Sequence, residues 1–458
     1  MTATRPVSLA TEWFEARLFA FRDAPAFIWR DAPVTYADLA ALADAASADL
    51  ATHGVAHGTV VGFESDFSPA GTGLMLALLR LECVIVPLGV NPPSEVAWRI
   101  EAGQIEWVVR PADGGRWVAQ PTGLHATHEL FEPLREAGHP GLILFSSGSS
   151  GPPKAAVHDL ARLLDKFRDT RPVNRTAGFL LFDHIGGLNT LWHVLSNGGL
   201  FVCLPDRSPE SVAAAIARHR IELVPTSPTF LNLLLLSGAW ERHDLSSLRL
   251  ITYGTEPMPQ STLTRLRQVL PDVELRQTYG LSELGILRAK SEASDSLWVK
   301  IGGSGFEVEV RDGILWIRAH SAMLGYLNAP SPFDENGWFN TKDMVEVRGE
   351  YFRILGRVSE IINVGGQKVY PGEVESVLLE MPEIAEAVVV GEPNALLGRV
   401  VVAQVVPTLE IEPAELRRRV REHCRGRLAS YKVPAKVTIS ETALHSARFK
   451  KKAVAAGS

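Results

Sequence analysis

Through the first 350 residues, short apolar runs of strand character alternate with segments of helical periodicity. That alternation restricts the chain to an α/β layered fold with a largely parallel sheet. Gly141 to Phe145, Leu200 to Leu204 and Leu250 to Tyr253 read as buried strands, with Ser211 to His219 and Ser261 to Leu270 as helices between them. The most apolar early stretch, Leu74 to Val90, is interrupted by Arg80 and Glu82. It reads as a buried helix followed by a strand and not as a membrane span. Phe306 to Ala319 departs from the alternation. It reads as a hairpin turning at Asp312-Gly313, so a small β-rich subdomain is expected after the α/β part.

The 458 residues exceed what one hydrophobic core organises, so at least two domains are expected. The stretch Gly356 to Glu360 is the predicted boundary. It divides a large N-terminal α/β domain, residues 1–355, from a small α+β C-terminal domain, residues 361–458. In the latter, Ile361 to Val364 reads as a strand, a helix starts at about Glu373, and Ala387 to Val390 is a second strand. A further helix begins near Pro413, with Leu416, Val420, Cys424 and Leu428 forming one apolar stripe.

Met1 to Phe21 has no signal-peptide core, and Cys83, Cys203 and Cys424 are too few and too scattered for a disulfide framework or a zinc site. A reduced, cytoplasmic setting is the expectation. The net charge of −6 speaks against a nucleic-acid partner. The charge is uneven, however: Ala414 to Lys452 holds twelve Lys/Arg against three Asp/Glu. Such a basic face is either solvated surface or a contact for phosphates or an acidic partner.

The strongest chemical signal is the segment Leu144 to Lys154, LFSSGSSGPPK. A buried strand enters a loop of hydroxyls and glycines that a lysine closes. Glycines let backbone N–H groups approach phosphate oxygens, hydroxyls add donors and the lysine adds charge. The spacing is not that of a Walker A loop, and the competing reading is a flexible linker.

This loop resembles the phosphate loop of the adenylate-forming superfamily of acyl-CoA synthetases, peptide-synthetase adenylation domains and luciferases, Ser/Thr-Ser-Gly-Ser/Thr-Thr-Gly-x-Pro-Lys. Four further segments resemble that family in the right order. Tyr279-Gly280-Leu281-Ser282-Glu283 is similar to its Tyr-Gly-x-Thr/Ser-Glu. Trp338 to Asp343 is similar to its Trp-Phe-x-Thr-Gly-Asp, with Lys342 in place of the glycine. Gly356 to Glu375 follows its hinge and thiolation-loop pattern, and Tyr431-Lys432-Val433-Pro434 resembles the element before its final lysine.

The resemblance implies an ATP- and Mg²⁺-dependent ligase. Ser146, Ser147, Gly148, Ser149, Ser150, Gly151 and Lys154 would hold the β- and γ-phosphates. Tyr279, with Gly280 and Ser282, would pack at adenine, and Glu283 would help hold Mg²⁺. Asp343 would accept from the ribose hydroxyls, and Arg357 would lie near ribose and phosphates. Gly254, Thr255 and Glu256 match the adenine and acyl groove, although Thr255 and Glu256 depart from the commoner pattern. His184, in Asp183-His184-Ile185-Gly186-Gly187, would stand beside the acid, or be a structural histidine. Ser359 occupies the pivotal place in the hinge, and Gly365, Gly366 and Lys368 form the thiolation loop. The family's ending, Thr-x-x-Gly-Lys, aligns with Ser446 to Lys450, so Lys450 is the implied catalytic lysine, with Phe449 replacing glycine and Lys451 and Lys452 as substitutes.

The implied reaction is attack of an acid on the α-phosphate of ATP, release of pyrophosphate, and transfer of the acyl group to the thiol of coenzyme A. Loading of an acyl carrier protein, activation of an inorganic oxyacid such as nitrite for transfer to an amine, and a non-catalytic nucleotide sensor are the alternatives. An ammonium that bridges the attacking oxygen and the α-phosphate acts only while charge shifts there. Lys450→Ala is therefore expected to abolish ATP–pyrophosphate exchange while thioester formation from supplied acyl-AMP survives. Exchange within a few-fold of the parent would move the role to another residue.

Overall fold

The computed structural model describes residues 10–146 and 153–445. Two seven-stranded sheets, a six-stranded sheet and a five-stranded sheet account for the architecture, with a short hairpin between the large sheets and the third. The α/β class and the division into a large N-terminal and a small C-terminal part are as read from the sequence.

The first sheet runs in the spatial order Glu274–Gln277, Leu250–Tyr253, Leu223–Thr226, Thr176–Ala177, Phe201–Val202, Pro25–Trp29, Ala32–Thr35. Its pairings are parallel except for the last, an edge hairpin. Thr226, Tyr253 and Gln277 stand in register, so three strands end on one line. The carboxyl ends of parallel strands are where open α/β sheets bind ligands, and the motif at Tyr279 begins two residues beyond that line.

The second sheet corrects the expectation of largely parallel pairing. Val60–Phe63 pairs in parallel with Val84–Pro87 and Trp107–Pro111, and Val84–Pro87 with Gly141–Ser146. Both flanks are antiparallel: Trp117–Pro121 returns along one edge, and Lys154–Asp159 and then Gly325–Tyr326 along the other. The loop after Gly141–Ser146 is thus the tip of an antiparallel pair, with Lys154 as the first residue of the returning strand. The local sequence at Lys154 to Asp159 is apolar enough to be buried on either kind of strand, so its direction was not readable.

The elements otherwise follow local chemistry. Leu74 to Val90 forms the helix Pro69–Arg80, capped by the Ser68 hydroxyl on Gly71 N, and the strand Val84–Pro87. The hairpin at Asp312-Gly313 pairs Phe306–Arg311 with Ile314–Ala319. The expected strand at Leu200 to Leu204 shortens to Phe201–Val202, and the one at Ala387 to Val390 lengthens to Ile384–Asn394 because it pairs along its whole length with Gly398–Pro407. An aromatic group, Phe63, Phe67, Phe182 and Phe201, bridges the two large sheets with ring centroids 4.8–5.5 Å apart. In the C-terminal part, Leu416, Val420 and Cys424 pack against the five-stranded sheet.

The two parts touch through a few polar bonds. Asn232 Nδ2 donates to Ala385 O at 2.7 Å, Gln260 N to Ser376 Oγ at 3.1 Å, and Ser261 Oγ to Ser376 O at 3.1 Å. Pro228, Pro257, Leu379, Ala387 and Val388 add an apolar lining to the cleft beside these bonds.

His158, on Lys154–Asp159, is fully buried beneath the Glu283 turn. Burial pushes its imidazole down to about 4, opposed by the backbone at Ser282 and Ser321, which lies outside good hydrogen-bond geometry. The unfolded chain therefore takes up a proton that the folded one refuses. Stability should fall as pH drops from about 6.5 towards about 4, by on the order of 2–3 kcal/mol from this residue. Urea unfolding across that window should be flatter for His158→Gln than for the parent; identical slopes would remove the assignment.

Candidate active site

Three segments meet at the base of the loop that joins Ser146 to Lys154. Ser146 and Lys154 pair across its base, and Lys154 N donates to Ser146 Oγ at 3.3 Å. Asn328 clasps the same base: its Nδ2 donates to Pro153 O at 3.0 Å and its Oδ1 accepts from Ala155 N at 2.9 Å. Ser147, Gly148, Ser149, Ser150 and Gly151 lie outside the described residues. The Lys154 ammonium sits 5.0 Å from the centre of the Tyr326 ring, and the Tyr326 hydroxyl donates to Glu283 Oε1 at 2.6 Å. Burial first, and the Glu283 carboxylate second, push the Tyr326 phenol well up, so it stays a donor. Tyr326 was missed in the sequence because its strand is two residues long and carries no motif beyond Gly325-Tyr326.

Glu283 occupies the turn of a hairpin that pairs Gly280–Leu281 with Gly285–Ile286. Its own carbonyl accepts from Met323 N at 2.8 Å. A side chain on Gly280 would run into the Gly285 carbonyl, which explains the glycine. Ser282, next in the motif, is half-buried in the same turn. No group of three or more His, Cys, Asp or Glu that could hold a metal occurs among the described residues. A site with one protein carboxylate suits Mg²⁺, which keeps water and takes its other ligands from substrate phosphates. Glu283, with one oxygen on Tyr326 and lone pairs to spare, fits that requirement.

At the base of the hairpin, Tyr279 is buried and its hydroxyl donates to Asp343 Oδ2 at 2.6 Å. Asp343 and Arg357 face one another on paired strands, with Arg357 Nε 3.5 Å from Asp343 Oδ1. Burial pushes the Asp343 carboxyl up, while Tyr279 and Arg357 hold it down. The Asp343 N–H is in turn fixed by Thr341 Oγ1 at 3.1 Å. Tyr279, Asp343 and Arg357 thus form one connected set, although 78 residues separate the first from the last.

The groove segment follows Leu250–Tyr253. Gly254 is required by Thr278, whose Oγ1 and carbonyl would lie 2.6 and 2.9 Å from an added Cβ. Thr255 is exposed at φ +74°, a conformation costly for a β-branched residue. Glu256 Oε1 accepts from Thr229 N at 2.8 Å, so this carboxylate satisfies a free N–H at the start of helix Pro228–Ser237. Glu256 also lines the cleft between the two parts, opposite Glu386 and His445.

His184 stands half-buried just before the helix Ile185–Ser196, which packs against the Gly285–Ile286 strand. Its neighbour Asp183 forms a buried ion pair with Arg99 at 3.0 Å. Arg99 also donates to Leu88 O at 3.1 Å and Glu95 at 2.6 Å, and lies 5.3 Å from the Phe145 ring. A lone arginine 84 positions from its partner carries no sequence signal.

Ser359 is exposed in a single 3-10 turn, Val358–Glu360, after Gly356 at φ +132°. Gly365 and Gly366, at φ +55° and +85°, make the exposed turn between Ile362–Val364 and Gln367–Val369, and Lys368 lies exposed on the latter. Lys450 lies outside the described residues. The described chain ends at His445, whose Nδ1 is 2.8 Å from Glu386 Oε2 in the wall of the cleft that Glu256 lines.

Residues 14–327 match the AMP-binding enzyme family and residues 373–450 its C-terminal domain. The chain is a member of this adenylate-forming enzyme family. It is 29% identical to the indoleacetate–CoA ligase of Aromatoleum aromaticum, over 93% of each chain. Its fold matches the anthranilate CoA ligase AuaEII in complex with anthranoyl-AMP, with a TM-score of 0.82 at 21% identity over 98% of this chain and 96% of that one. It also matches the amide bond synthetase of Marinactinospora thermotolerans, with a TM-score of 0.78 at 24% identity over 97% of each.

The family's glycine before Asp343 now has a physical reason. Lys342 holds φ +60°, the left-handed region that glycine adopts freely. Relief of that strain, less the extra freedom glycine gives the unfolded chain, should stabilise Lys342→Gly by about 0.5–1 kcal/mol. Chemical denaturation that finds the variant less stable than the parent would mean that the lysine side chain makes a compensating contact.

Proposed function

We propose that the protein activates a carboxylic acid as its acyl-AMP, releasing pyrophosphate, and passes the acyl group to the thiol of coenzyme A. One observation carries the first step: Lys154, Tyr326 and Glu283 gather at the turn of the Gly280–Ile286 hairpin, and Tyr279, Asp343 and Arg357 at its base. The first set offers a cation and a carboxylate to a polyphosphate. The second offers a buried aromatic face and an acceptor to a nucleoside. A nucleotide laid across the hairpin would meet both, with its α-phosphate between them.

In this reading the loop residues 146–151 and Lys154 hold the β- and γ-phosphates, and Asp343 accepts from ribose through the lone pairs that Tyr279 leaves. Glu283 would hold Mg²⁺, which when bound offsets charge on the phosphates. The acid enters beside His184 and the start of helix Ile185–Ser196, and Lys450 meets the attacking oxygen and the α-phosphate. Catalysis is positioning and charge stabilisation by groups fixed before the substrate arrives. Turning about Ser359 would then bring the Gly365-Gly366 loop and Lys368 to the adenylate. Support for a thiol acceptor comes from the intact Gly365-Gly366-Gln367-Lys368 loop and from the CoA ligase relative that spans 93% of this chain.

The test is ATP–pyrophosphate exchange with a panel of acids and with nitrite, followed by addition of CoA, acyl carrier protein or an aryl amine. Acid-dependent exchange and a CoA thioester are expected. In Glu283→Gln the exchange rate should fall at least tenfold and the Mg²⁺ midpoint should rise, with unfolding unchanged. Exchange with nitrite alone, or product only with carrier protein or amine, would replace the acceptor or the acid. No exchange with any of them would leave nucleotide binding without catalysis.

A further inference from the structure

Behind the Glu283 hairpin lies a group of cations that the reaction outlined above does not use. Lys166 Nζ donates to Ile286 O at 2.9 Å, on the hairpin strand itself. Arg171, fixed through its N–H to Asn197 Oδ1 at 2.6 Å, has a buried Nη2 with no hydrogen-bond partner among the described residues. His193, on helix Ile185–Ser196, is close enough to both for their charges to hold its imidazole down, after burial itself. Burial first, then Arg171 and Arg288, push the Lys166 ammonium down to about 7. The carboxylate in this group is Asp169, exposed and 3.7 Å from Arg288. Several cations packed together with one exposed carboxylate form an arrangement that an anion would stabilise.

The helix says where such an anion would come from. Gly186, Asn189 and His193 stand at i, i+3 and i+7, on one face. His193 directs that face towards Lys166 and so towards the hairpin. Asn189 Oδ1 is buried and has no partner among the described residues, and a half-turn of the amide would present a donor instead. A line of one small residue and two polar ones therefore runs from Gly186 towards the cations. At 1.5 Å per residue, Gly186 and His193 are about 10 Å apart along the axis.

We propose that Lys166, Arg171, Asn189 and His193 form the distal end of the acid pocket and hold a second oxyanion on the substrate. The acid activated is then one that carries a further carboxylate, or an equivalent acidic group, on the order of 10 Å from the carboxylate that attacks ATP. This rests on the reading of the enzyme as an acid-activating ligase. No bond is made or broken at the distal site; it selects by charge and hydrogen bonding, and an arginine there suits a planar carboxylate.

The experiment measures kcat/KM for pyrophosphate release with matched pairs of acids, such as octanoate with suberate and 3-phenylpropanoate with 3-(4-carboxyphenyl)propanoate. Each diacid is also tested as its distal methyl ester. The parent should prefer at least one diacid by tenfold or more, and esterification should remove the preference. In Lys166→Met and Arg171→Gln the ratio should fall at least tenfold, whereas Arg171→Lys should keep most of it. Arg288→Gln, at an exposed position, gives a folded comparison with an expected loss of a few-fold if the core variants precipitate. Good turnover of the monoacids with no diacid preferred, or ratios within twofold of the parent in the variants, would overturn the distal site and leave acid activation intact. No pyrophosphate from any acid would instead overturn acid activation itself.

Discussion

Arg99 holds the two halves of the site in one frame. Its guanidinium reaches the Leu88 carbonyl, the Asp183 carboxylate and the face of Phe145, on the strand that ends at Ser146. Asp183 in turn precedes His184 and the helix Ile185–Ser196. One buried cation thereby sets the spacing between the strand Gly141–Ser146 and the helix Ile185–Ser196. Both members of the pair are almost wholly buried. Loss of Arg99 would take the cation from a buried carboxylate, a change that typically costs about 3–5 kcal/mol, whereas loss of Asp183 leaves Arg99 its ion pair with Glu95. Gly89, at φ +64° with Asp183 only 3.0 Å from where a Cβ would stand, shows how closely the chain is fitted around this pair.

From that frame the parallel strands deliver their carboxyl ends to the site. Thr226, Tyr253 and Gln277 finish in register, and the segments just beyond them carry Glu256, Gly254 and Tyr279. The six-stranded sheet then supplies Asp343 and Arg357 as facing residues of adjacent strands. Their separation is fixed by the backbone ladder and does not depend on side-chain flexibility. The site is therefore assembled from strand ends and strand pairs, which are rigid, with hairpin turns between them.

Much of this was legible in the sequence where the signal is local. The Asp312-Gly313 hairpin, the stripe of Leu416, Val420 and Cys424, and the helix and strand across Leu74 to Val90 follow from periodicity and turn chemistry alone. Two departures from the family pattern, Lys342 and Thr255, also proved informative, because both hold backbone conformations that glycine would adopt at less cost. What escaped was non-local. The Asn328 clasp on Ala155, the Tyr326 hydroxyl on Glu283 and the Arg99–Asp183 pair depend on partners 43 to 173 residues away, and no spacing rule reports such distances.

The Asn328 clasp has a consequence for how such a loop can change over time. Because the strands before and after it are already paired, and the amide ties both Pro153 and Ala155, the two anchor points stay fixed whatever lies between them. The cost of closing a loop grows only slowly with its length. The register of the sheet below is therefore set independently of the residues at the tip. The clasp fixes the address of the tip in the fold, so a substitution there changes the chemistry the tip offers and not the sheet beneath it.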